Sequence, residues 1–213
     1  MSQMEILLAT HNLHKIREFK EMLKSLSYFE VISLHQFPDY VSPEEKGVTF
    51  RENAILKAED AAKKLGYWAL ADDSGLVVPA LQGQPGVHSR RYAGPQATDA
   101  DNRKKLLAAM SHLQQYERTA HFVCGLAVAN PKGLQKYVEG FCEGFILEEP
   151  RGRNGFGYDP LFVKNEYDKS FAEIDESIKN RISHRRKAYE RISTYLENLK
   201  CTTTSTDITF SSV

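Results

Sequence analysis

Two adjacent carboxylates interrupt an apolar stretch of this chain. Residues 67–78 read Tyr-Trp-Ala-Leu-Ala-Asp-Asp-Ser-Gly-Leu-Val-Val, and the acidic pair is Asp72 and Asp73. A buried ionised carboxylate needs a metal, a cation or hydrogen-bond donors to replace its lost hydration. Because consecutive side chains of a strand point to opposite faces, the two carboxylates are predicted to have different roles. The alternative is that both residues cap a turn at Ser74 and Gly75.

A second candidate site is the loop at residues 10–15, Thr-His-Asn-Leu-His-Lys, where a predicted strand passes into a helix. Free backbone N–H groups at a helix start attract anions, which suggests a phosphate. Lys15 supports this suggestion, because a cation in the first turn opposes the helix dipole unless an anion is bound. The alternative is an ordinary polar cap followed by a solvated lysine. His11 and His14 lack a third soft ligand at a suitable spacing, so no metal site is predicted here.

A basic segment near the other end of the chain has a similar character. Ser183 is predicted to cap an amphipathic helix, so that His184, Arg185 and Arg186 crowd the positive end of that helix. An acceptor-rich ligand would relieve this arrangement. A solvated basic face and a nucleic-acid patch are the two alternatives.

A glycine-rich string with two aromatic residues lies between these basic segments. Residues 152–160 read Gly-Arg-Asn-Gly-Phe-Gly-Tyr-Asp-Pro. Glycines at this density allow the backbone to approach a ligand closely. Phe156 or Tyr158 could then stack on a base. An ordinary hairpin loop would explain the glycines but not the whole string.

The order of the predicted elements indicates an α/β protein with a mixed sheet. A short apolar strand at residues 4–9 precedes a helix whose apolar residues recur at helical spacing. A second helix begins at Thr49, where Glu52 completes a capping box, and ends at Gly66. The carboxylate strand follows, and then a third helix whose apolar face comprises Leu106, Leu107, Met110 and Leu113.

The second half of the chain predicts the antiparallel part of the sheet. Residues 121–129 are apolar on both faces, which indicates a central strand. The sequence Asn-Pro-Lys-Gly at 130–133 predicts a turn into a strand at 134–141, and hence an antiparallel hairpin. A purely parallel sheet is therefore not expected.

Composition favours one domain at residues 1–200, followed by a Ser/Thr-rich tail at 201–213. Lys plus Arg and Asp plus Glu are each 28, so global charge favours neither nucleic acid nor a membrane as a partner. Three cysteines without a CxxC pair argue against a disulfide framework or a zinc site and indicate a reducing compartment. No apolar run approaches the ~20 residues of a membrane span, and we expect a cytoplasmic protein.

Six segments carry a combined signal, at residues 10–15, 44–45, 71–75, 85–92, 155–160 and 183–185. Each segment is weak alone, but the ordered set covers nearly the whole chain. Taken together, the segments resemble the inosine triphosphate pyrophosphatase family, which hydrolyses non-standard purine nucleoside triphosphates, including ITP, dITP and XTP, to the monophosphate and pyrophosphate. The chain departs from the family at His11, where glycine is frequent, and at Arg90, within the family's Ser-Ala-Arg-Tyr.

The resemblance implies an elongated mixed sheet whose flanking helices form two lobes around a nucleotide cleft, usually in a homodimer that uses Mg²⁺. Asp73 would be the general base, and Glu45 and Asp73 would hold the metal. The substrate would be bound by the first loop, Thr10, His11, Asn12, Leu13, His14 and Lys15, in which Thr10, Asn12 and Lys15 hold the triphosphate together with Lys57. Ser74 would assist, and the base and sugar end would comprise Phe156, Gly157, Tyr158, Asp159, Lys179, His184 and Arg185.

The base end of this implied site also carries an expectation about selectivity. Arginine offers only donors, so Arg185 can satisfy O6 and N7 of hypoxanthine or xanthine but meets a donor at the amino group of adenine. ATP is therefore expected to be a poor substrate.

Two other functions stay open at this point. One is a pyrophosphatase of the related Maf type, acting on pyrimidine or modified nucleotides. The other is a non-catalytic RNA-binding module that uses residues 179–191, whose affinity would fall steeply with salt. The equal numbers of acidic and basic residues and the predicted buried carboxylates argue against this module.

Overall fold

The computed structural model describes residues 3–202 and contains one six-stranded mixed sheet flanked by helices. The predicted α/β class is confirmed. The strands are β1 (Met4–Leu8), β2 (Phe29–Ser33), β3 (Trp68–Val77), β4 (Thr119–Asn130), β5 (Gly133–Ile146) and β6 (Phe162–Lys164). The α-helices are α1 (Leu13–Leu23), α2 (Phe50–Leu65), α3 (Asp99–Ala109), α4 (Glu176–Ile182) and α5 (His184–Thr202).

The sheet has the strand order β2-β1-β3-β4-β5-β6. β1 pairs in parallel with β2 and β3, and parallel neighbours require crossovers, which contain α1 and α2. The pairs from β3 to β6 are all antiparallel. A two-residue turn after Asn130 forms the predicted hairpin, although β5 continues to Ile146, beyond its predicted end at residue 141.

Two lobes arise because the long central strands pass through separate hydrophobic cores. In the first lobe, α1 and α5 pack on one face of the sheet and α2 on the other. The second lobe packs α3 and β6 against the far ends of β3, β4 and β5. On β3, Leu70 belongs to the first core and Leu76 to the second. Asp72 and Asp73 lie between them, at the boundary of the two lobes.

Local sequence signals determine where α2 begins and ends. The Thr49 hydroxyl accepts a hydrogen bond from the Glu52 N–H at 3.1 Å, and Gly66 ends the helix with φ +81°, as predicted. The other half of the capping box is displaced by one residue, because the Glu52 carboxylate accepts from the Val48 N–H at 2.7 Å. These caps fix which side chains α2 directs at β3.

The start of α5 packs closely on the sheet at Gly140 of β5. A Cβ at this glycine would lie 2.2 Å from the backbone carbonyl of His184, so only glycine allows the approach. The Ser183 hydroxyl accepts from the Arg186 N–H at 3.2 Å, which confirms the predicted cap. His184 and Arg185 are 5% and 1% exposed, so the solvated basic face is wrong for these two residues.

Several other sequence predictions need correction. β3 continues through Ser74 and Gly75 to Val77, so the alternative of a turn after the carboxylates is wrong. β2, β6 and α4 were not predicted; they have five, three and seven residues, and none shows a clear period. α3 ends at Ala109, which leaves the predicted face residues Met110 and Leu113 beyond the helix, although both still pack in the second core.

The end of the described chain is helical. α5 includes residues 201 and 202 of the predicted tail, whereas residues 203–213 lie outside the described part. Cys124 and Cys142 are free and buried. None of the helices in residues 3–202 is long and apolar enough to cross a membrane.

Candidate active site

A cavity of about 460 Å³ lies between the two lobes. It brings together every residue predicted for substrate or metal binding except Leu13. The side chain of Leu13, in the first turn of α1, is 57% exposed and does not line the cavity. The predicted residues that do line it are Thr10, His11, Asn12, His14, Lys15, Glu45, Lys57, Asp73, Ser74, Phe156, Gly157, Tyr158, Asp159, Lys179, His184 and Arg185.

One end of the cavity is built around the ammonium group of Lys57. Its Nζ lies 2.9 Å from Glu45 Oε1 and 3.0 Å from Asp73 Oδ1. The amide of Asn53, one turn earlier on α2, donates to Asp73 Oδ2 at 3.2 Å. Arg91 Nη1 lies 3.6 Å from the second oxygen of Glu45. Asp73 therefore faces α2, and Glu45 is drawn to the same cation.

The carboxylates at this end differ in acidity. Burial raises the pKa of Asp73 above its ordinary value, although Lys57 and Lys15 act in the opposite direction. Burial also opposes ionisation of Glu45, but there Lys57 prevails and the pKa of Glu45 is lowered. A carboxylate with a raised pKa is a better proton acceptor than an ordinary aspartate. The raised pKa of Asp73 is the property that the predicted general base would need.

Asp72 faces the opposite side of the sheet and has different partners. Its Oδ2 accepts from the Ser74 hydroxyl at 2.6 Å and lies 2.9 Å from Lys15 Nζ and 3.2 Å from Arg185 Nη2. Burial opposes its charge, but Lys15, Arg185 and Lys57 hold the pKa of Asp72 well below its usual range. The separate roles predicted for the two carboxylates agree with these contacts.

The loop before α1 holds Lys15 in place. The Asn12 side chain accepts from the N–H groups of His14 and Lys15 at 3.0 and 3.3 Å, and the Thr10 hydroxyl accepts from the Asn12 N–H at 3.2 Å. The predicted polar cap is confirmed. A solvated lysine is wrong, because the Lys15 side chain is only 14% exposed and is paired with Asp72.

A second charge cluster, which includes a residue missed by the sequence analysis, lies behind the other end of the cavity. Glu18 of α1 is 3% exposed and pairs with Lys179 Nζ at 3.2 Å and with the Arg185 guanidinium. Lys179 Nζ also lies 2.7 Å from Asp159 Oδ2. Glu18 therefore joins α1 to α4 and α5. The sequence analysis missed Glu18 because it precedes Phe19, and the pattern of the segment indicates only the apolar face of a helix.

Phe156 is the aromatic surface that the glycine-rich loop offers to the cavity. Its ring stacks on His14, with centroids 4.7 Å apart and an interplanar angle of 16°. Lys179 Nζ lies 4.5 Å from the centroid of the same ring. Tyr158 is 4% exposed and donates its hydroxyl to the Ser89 carbonyl at 2.9 Å, so it supports the loop from behind.

His184 is a neutral imidazole at the same end. Burial, together with the charges of Arg185 and Lys179, holds the pKa of His184 well below its ordinary value. Its ring stacks on Phe122 at 4.8 Å, and its Nδ1 is buried without a hydrogen-bond partner. A buried polar atom of this kind is suited to a ligand group.

The metal-binding capacity of the described residues is limited. Within residues 3–202, no group of three or more His, Cys, Asp or Glu side chains could hold a metal ion by itself. Glu45 and Asp73 are two carboxylates on one side of the cavity that share the Lys57 ammonium. This donor set fits a hard cation that takes its remaining ligands from substrate and water.

Fold and site together define an α/β protein with a charged cleft between two lobes of a mixed sheet. A family model described as the Ham1 family matches residues 6–195. The dITP/XTP pyrophosphatase of Protochlamydia amoebophila is 68% identical over 198 residues, which are 92% of this chain and 100% of that protein. The dITP/XTP pyrophosphatase of Chlamydia caviae is 46% identical over 92% of this chain and 96% of its own.

Solved structures agree with these sequence relatives. The HAM1 protein from Coxiella burnetii superposes with a TM-score of 0.83 at 45% identity, covering 91% of this chain and 98% of that one. The Staphylococcus aureus Ham1 protein gives a TM-score of 0.81 at 41% identity, covering 92% of this chain and 99% of that one. The chain belongs to the Ham1 family. The predicted family resemblance and the predicted enzyme class, a pyrophosphatase, are confirmed.

Proposed function

We propose that this enzyme hydrolyses non-standard purine nucleoside triphosphates (ITP, dITP and XTP) to the monophosphate and pyrophosphate, with Mg²⁺ as cofactor. The names of its relatives support the substrate class. A homodimer and a cytoplasmic location belong to the same proposal, on the basis of the family resemblance and of the two free buried cysteines. The observation that carries the proposal is a cavity with lysines and carboxylates at one end and an aromatic ring with a neutral histidine at the other.

The triphosphate is assigned to the end that contains Lys15 and Lys57. An ammonium group has three N–H donors, and the carboxylate contacts of Lys15 and Lys57 are fewer than three each. Both lysines can therefore take phosphate oxygens without leaving their carboxylates. Positive charge held in place before the reaction stabilises negative charge that develops on the leaving pyrophosphate.

The carboxylates are assigned to the metal and the proton. Mg²⁺ held by Glu45 and Asp73, together with phosphate oxygens, would neutralise phosphate charge and polarise an attacking water. Asp73 accepts a proton from the attacking water. The water oxygen bonds to phosphorus as the bond between phosphorus and the leaving pyrophosphate breaks. Asn53 and Lys57 hold the two oxygens of Asp73 in position for this transfer.

The base is assigned to the end that contains Phe156, His184 and Arg185. An aromatic ring in the cavity provides a stacking surface for a purine. Four bonds from the Arg185 guanidinium go to Glu18, Asp72 and Ser74, and a guanidinium has five N–H groups. One N–H is left for an acceptor at position 6 of the purine, where a 6-oxopurine carries an oxygen and adenine carries an amino donor.

The first test is the identity of the products. Wild-type protein with Mg²⁺ and a panel of nucleoside triphosphates is expected to convert ITP to IMP and pyrophosphate. Chromatography of the nucleotide and an assay for pyrophosphate check both products. Release of IDP and orthophosphate as primary products would contradict the proposed reaction, and preference for a pyrimidine triphosphate would favour a Maf-type activity.

The second test concerns base selection by Arg185. Arg185→Ala should narrow the ratio of kcat/KM for ITP to that for ATP by roughly 10- to 100-fold, the equivalent of a charge-assisted hydrogen bond of about 1.5–3 kcal/mol. Because the alanine leaves Glu18 and Asp72 without a cation, Arg185→Lys is the companion variant, which keeps the charge but not the planar fork.

Arg186→Ala is the matched control for this test. Arg186 is the next residue of α5, and its guanidinium bonds Glu190 at the surface. The control should leave the ITP to ATP ratio near that of the wild type. Equal losses on ITP, XTP and ATP in both Arg185 variants would show that Arg185 does not read the base.

A further inference from the structure

Two side chains of α3 hold the glycine-rich loop by hydrogen bonds to the backbone N–H and the backbone carbonyl of one residue, Gly157. The Gly157 N–H donates to Asp99 Oδ2 at 2.7 Å, and Arg103 Nη1 donates to the Gly157 carbonyl at 2.7 Å. Gly155 and Gly157 have φ values of +75° and +57°, in the left-handed region. A loop with two such glycines has little rigidity of its own, so its position at Gly157 depends on bonds of this kind.

We call Asp99 and Arg103, with their two hydrogen bonds to Gly157, the clamp. The helix that carries the clamp is itself firmly held. Asp99 and Arg103 are four residues apart and therefore lie on one face of α3. The same helix is anchored in the second core by Leu106, which is fully buried. Its N-terminus is fixed by a capping box between Thr98 and Asp101, in which Asp101 makes no contact with the loop. The position of α3 is thus set independently of Gly157.

The clamp acts on the backbone next to Phe156, which carries the aromatic ring. The Phe156 N–H donates to Asp159 Oδ2 at 2.8 Å, and the N–H and carbonyl of the next residue, Gly157, are bound by Asp99 and Arg103. Successive backbone groups on either side of the ring are therefore bound to side chains. With the backbone fixed at these points, the Cα–Cβ direction of Phe156 is fixed, and the ring is oriented further by its contacts with His14 and Lys179.

We infer that Asp99 and Arg103 are positioning residues for base recognition: they hold Gly157 so that Phe156 presents its ring to the purine. This inference rests on the proposed function for its choice of substrate. Neither residue contacts the triphosphate end, where Lys57 and Asp73 lie. Loss of the clamp should therefore weaken binding of the purine and leave chemistry at phosphorus largely intact.

The variants are Asp99→Ala and Arg103→Met, each with a control from the same helix. Asp101→Ala removes a carboxylate from the same helix end and weakens the cap of α3, but touches no loop residue. Lys104→Met removes an exposed cation next to Arg103. Asp99→Asn keeps an acceptor oxygen for the Gly157 N–H and should restore most of what the alanine loses.

Two readouts are needed. In steady-state kinetics, Asp99→Ala and Arg103→Met should raise the KM for ITP and the KM for ATP by about three- to tenfold each, with kcat nearly unchanged, because both purines use the same stacking surface. In hydrogen exchange, amides at 155–158 should exchange at least about threefold faster in these variants. Asp101→Ala and Lys104→Met should change neither quantity, even if their melting temperatures fall.

The exchange measurement separates this inference from the proposed function. If the wild type does not hydrolyse ITP, the proposed function fails, whereas exchange at 155–158 still decides whether the clamp holds the loop. Unchanged exchange in both clamp variants would overturn the inference. A fall in kcat that is equal for ITP and ATP would also overturn it, because it would place the effect at the phosphate end.

Discussion

Asp73→Asn is expected to lower kcat for ITP by roughly 10²- to 10⁴-fold, the range typical for loss of a general base. The amide that replaces the carboxylate keeps an acceptor oxygen for Asn53 but cannot take a proton from water. The Lys57 ammonium retains Glu45 as a partner. The loss should therefore appear in turnover, measured as pyrophosphate release, and not in folding.

The stability of this variant follows from the direction of the pKa shift. Burial raises the pKa of Asp73 in the folded protein. The protonated carboxyl group therefore contributes to the free energy of unfolding below its unfolded-state pKa, and this contribution is lost as pH rises through the folded-state pKa. At pH 7 the ionised carboxylate does not stabilise the fold. Asp73→Asn should therefore change Tm by no more than about 4 °C, which corresponds to about 1 kcal/mol in the free energy of unfolding. A variant that turns over at nearly the wild-type rate would remove Asp73 from the role of base.

The pH profile gives an independent check on the same residue. The wild type needs Asp73 ionised, so kcat should fall with decreasing pH at a higher pH than an ordinary aspartate would dictate. The residual activity of Asp73→Asn should lack this acidic limb. An identical limb in both proteins would assign it to another group.

Much of the fold was predictable because its signals are local. Thr49 and Gly66 bracket α2, since a cap hydroxyl and a left-handed glycine act within one turn of the helix. The strand around Asp72 and Asp73 was predicted because apolar runs on both sides imply burial, which the structure confirms at 1% and 6% exposure. These inferences need no knowledge of the tertiary structure.

The residues that were missed depend on contacts between distant parts of the chain. Glu18 is buried only because Lys179 and Arg185 reach it from 161 and 167 residues away. Asp99 and Arg103 reach Gly157 only because α3 packs beside the glycine-rich loop. No helical period within α1 or α3 could indicate such partners.

Contiguity along a motif also differs from contiguity in space. Leu13 was assigned to the site with its neighbours in the first loop, yet helical geometry turns each successive side chain by about 100°. Its side chain is exposed, whereas Lys15, two residues later, reaches the cavity. Tyr158 illustrates the same limit, because the sequence could not distinguish it from Phe156 as a stacking surface.

Asp72→Asn is expected to lower the free energy of unfolding at pH 7 by about 3–5 kcal/mol, the usual cost of removing one partner from a buried ion pair. Lys15 loses its paired carboxylate, and Arg185 retains Glu18 as a carboxylate partner but loses Asp72. The replacement keeps the shape and one acceptor oxygen, so the cost reflects the missing charge. Urea unfolding of the wild type and the variant measures it.

The pH dependence of this difference identifies its electrostatic origin. The pKa of Asp72 is held far below its usual range, so its contribution is complete above the unfolded-state pKa of about 3.9 and declines as pH falls below that value. Below that pH, the difference in the free energy of unfolding between the wild type and Asp72→Asn should shrink by about 1.4 kcal/mol per pH unit. Asp168→Asn, which alters an exposed carboxylate, should show little change in stability at either pH. A gap for Asp72→Asn that stays constant from pH 7 to pH 3 would mean that lost packing, and not lost charge, destabilises the variant.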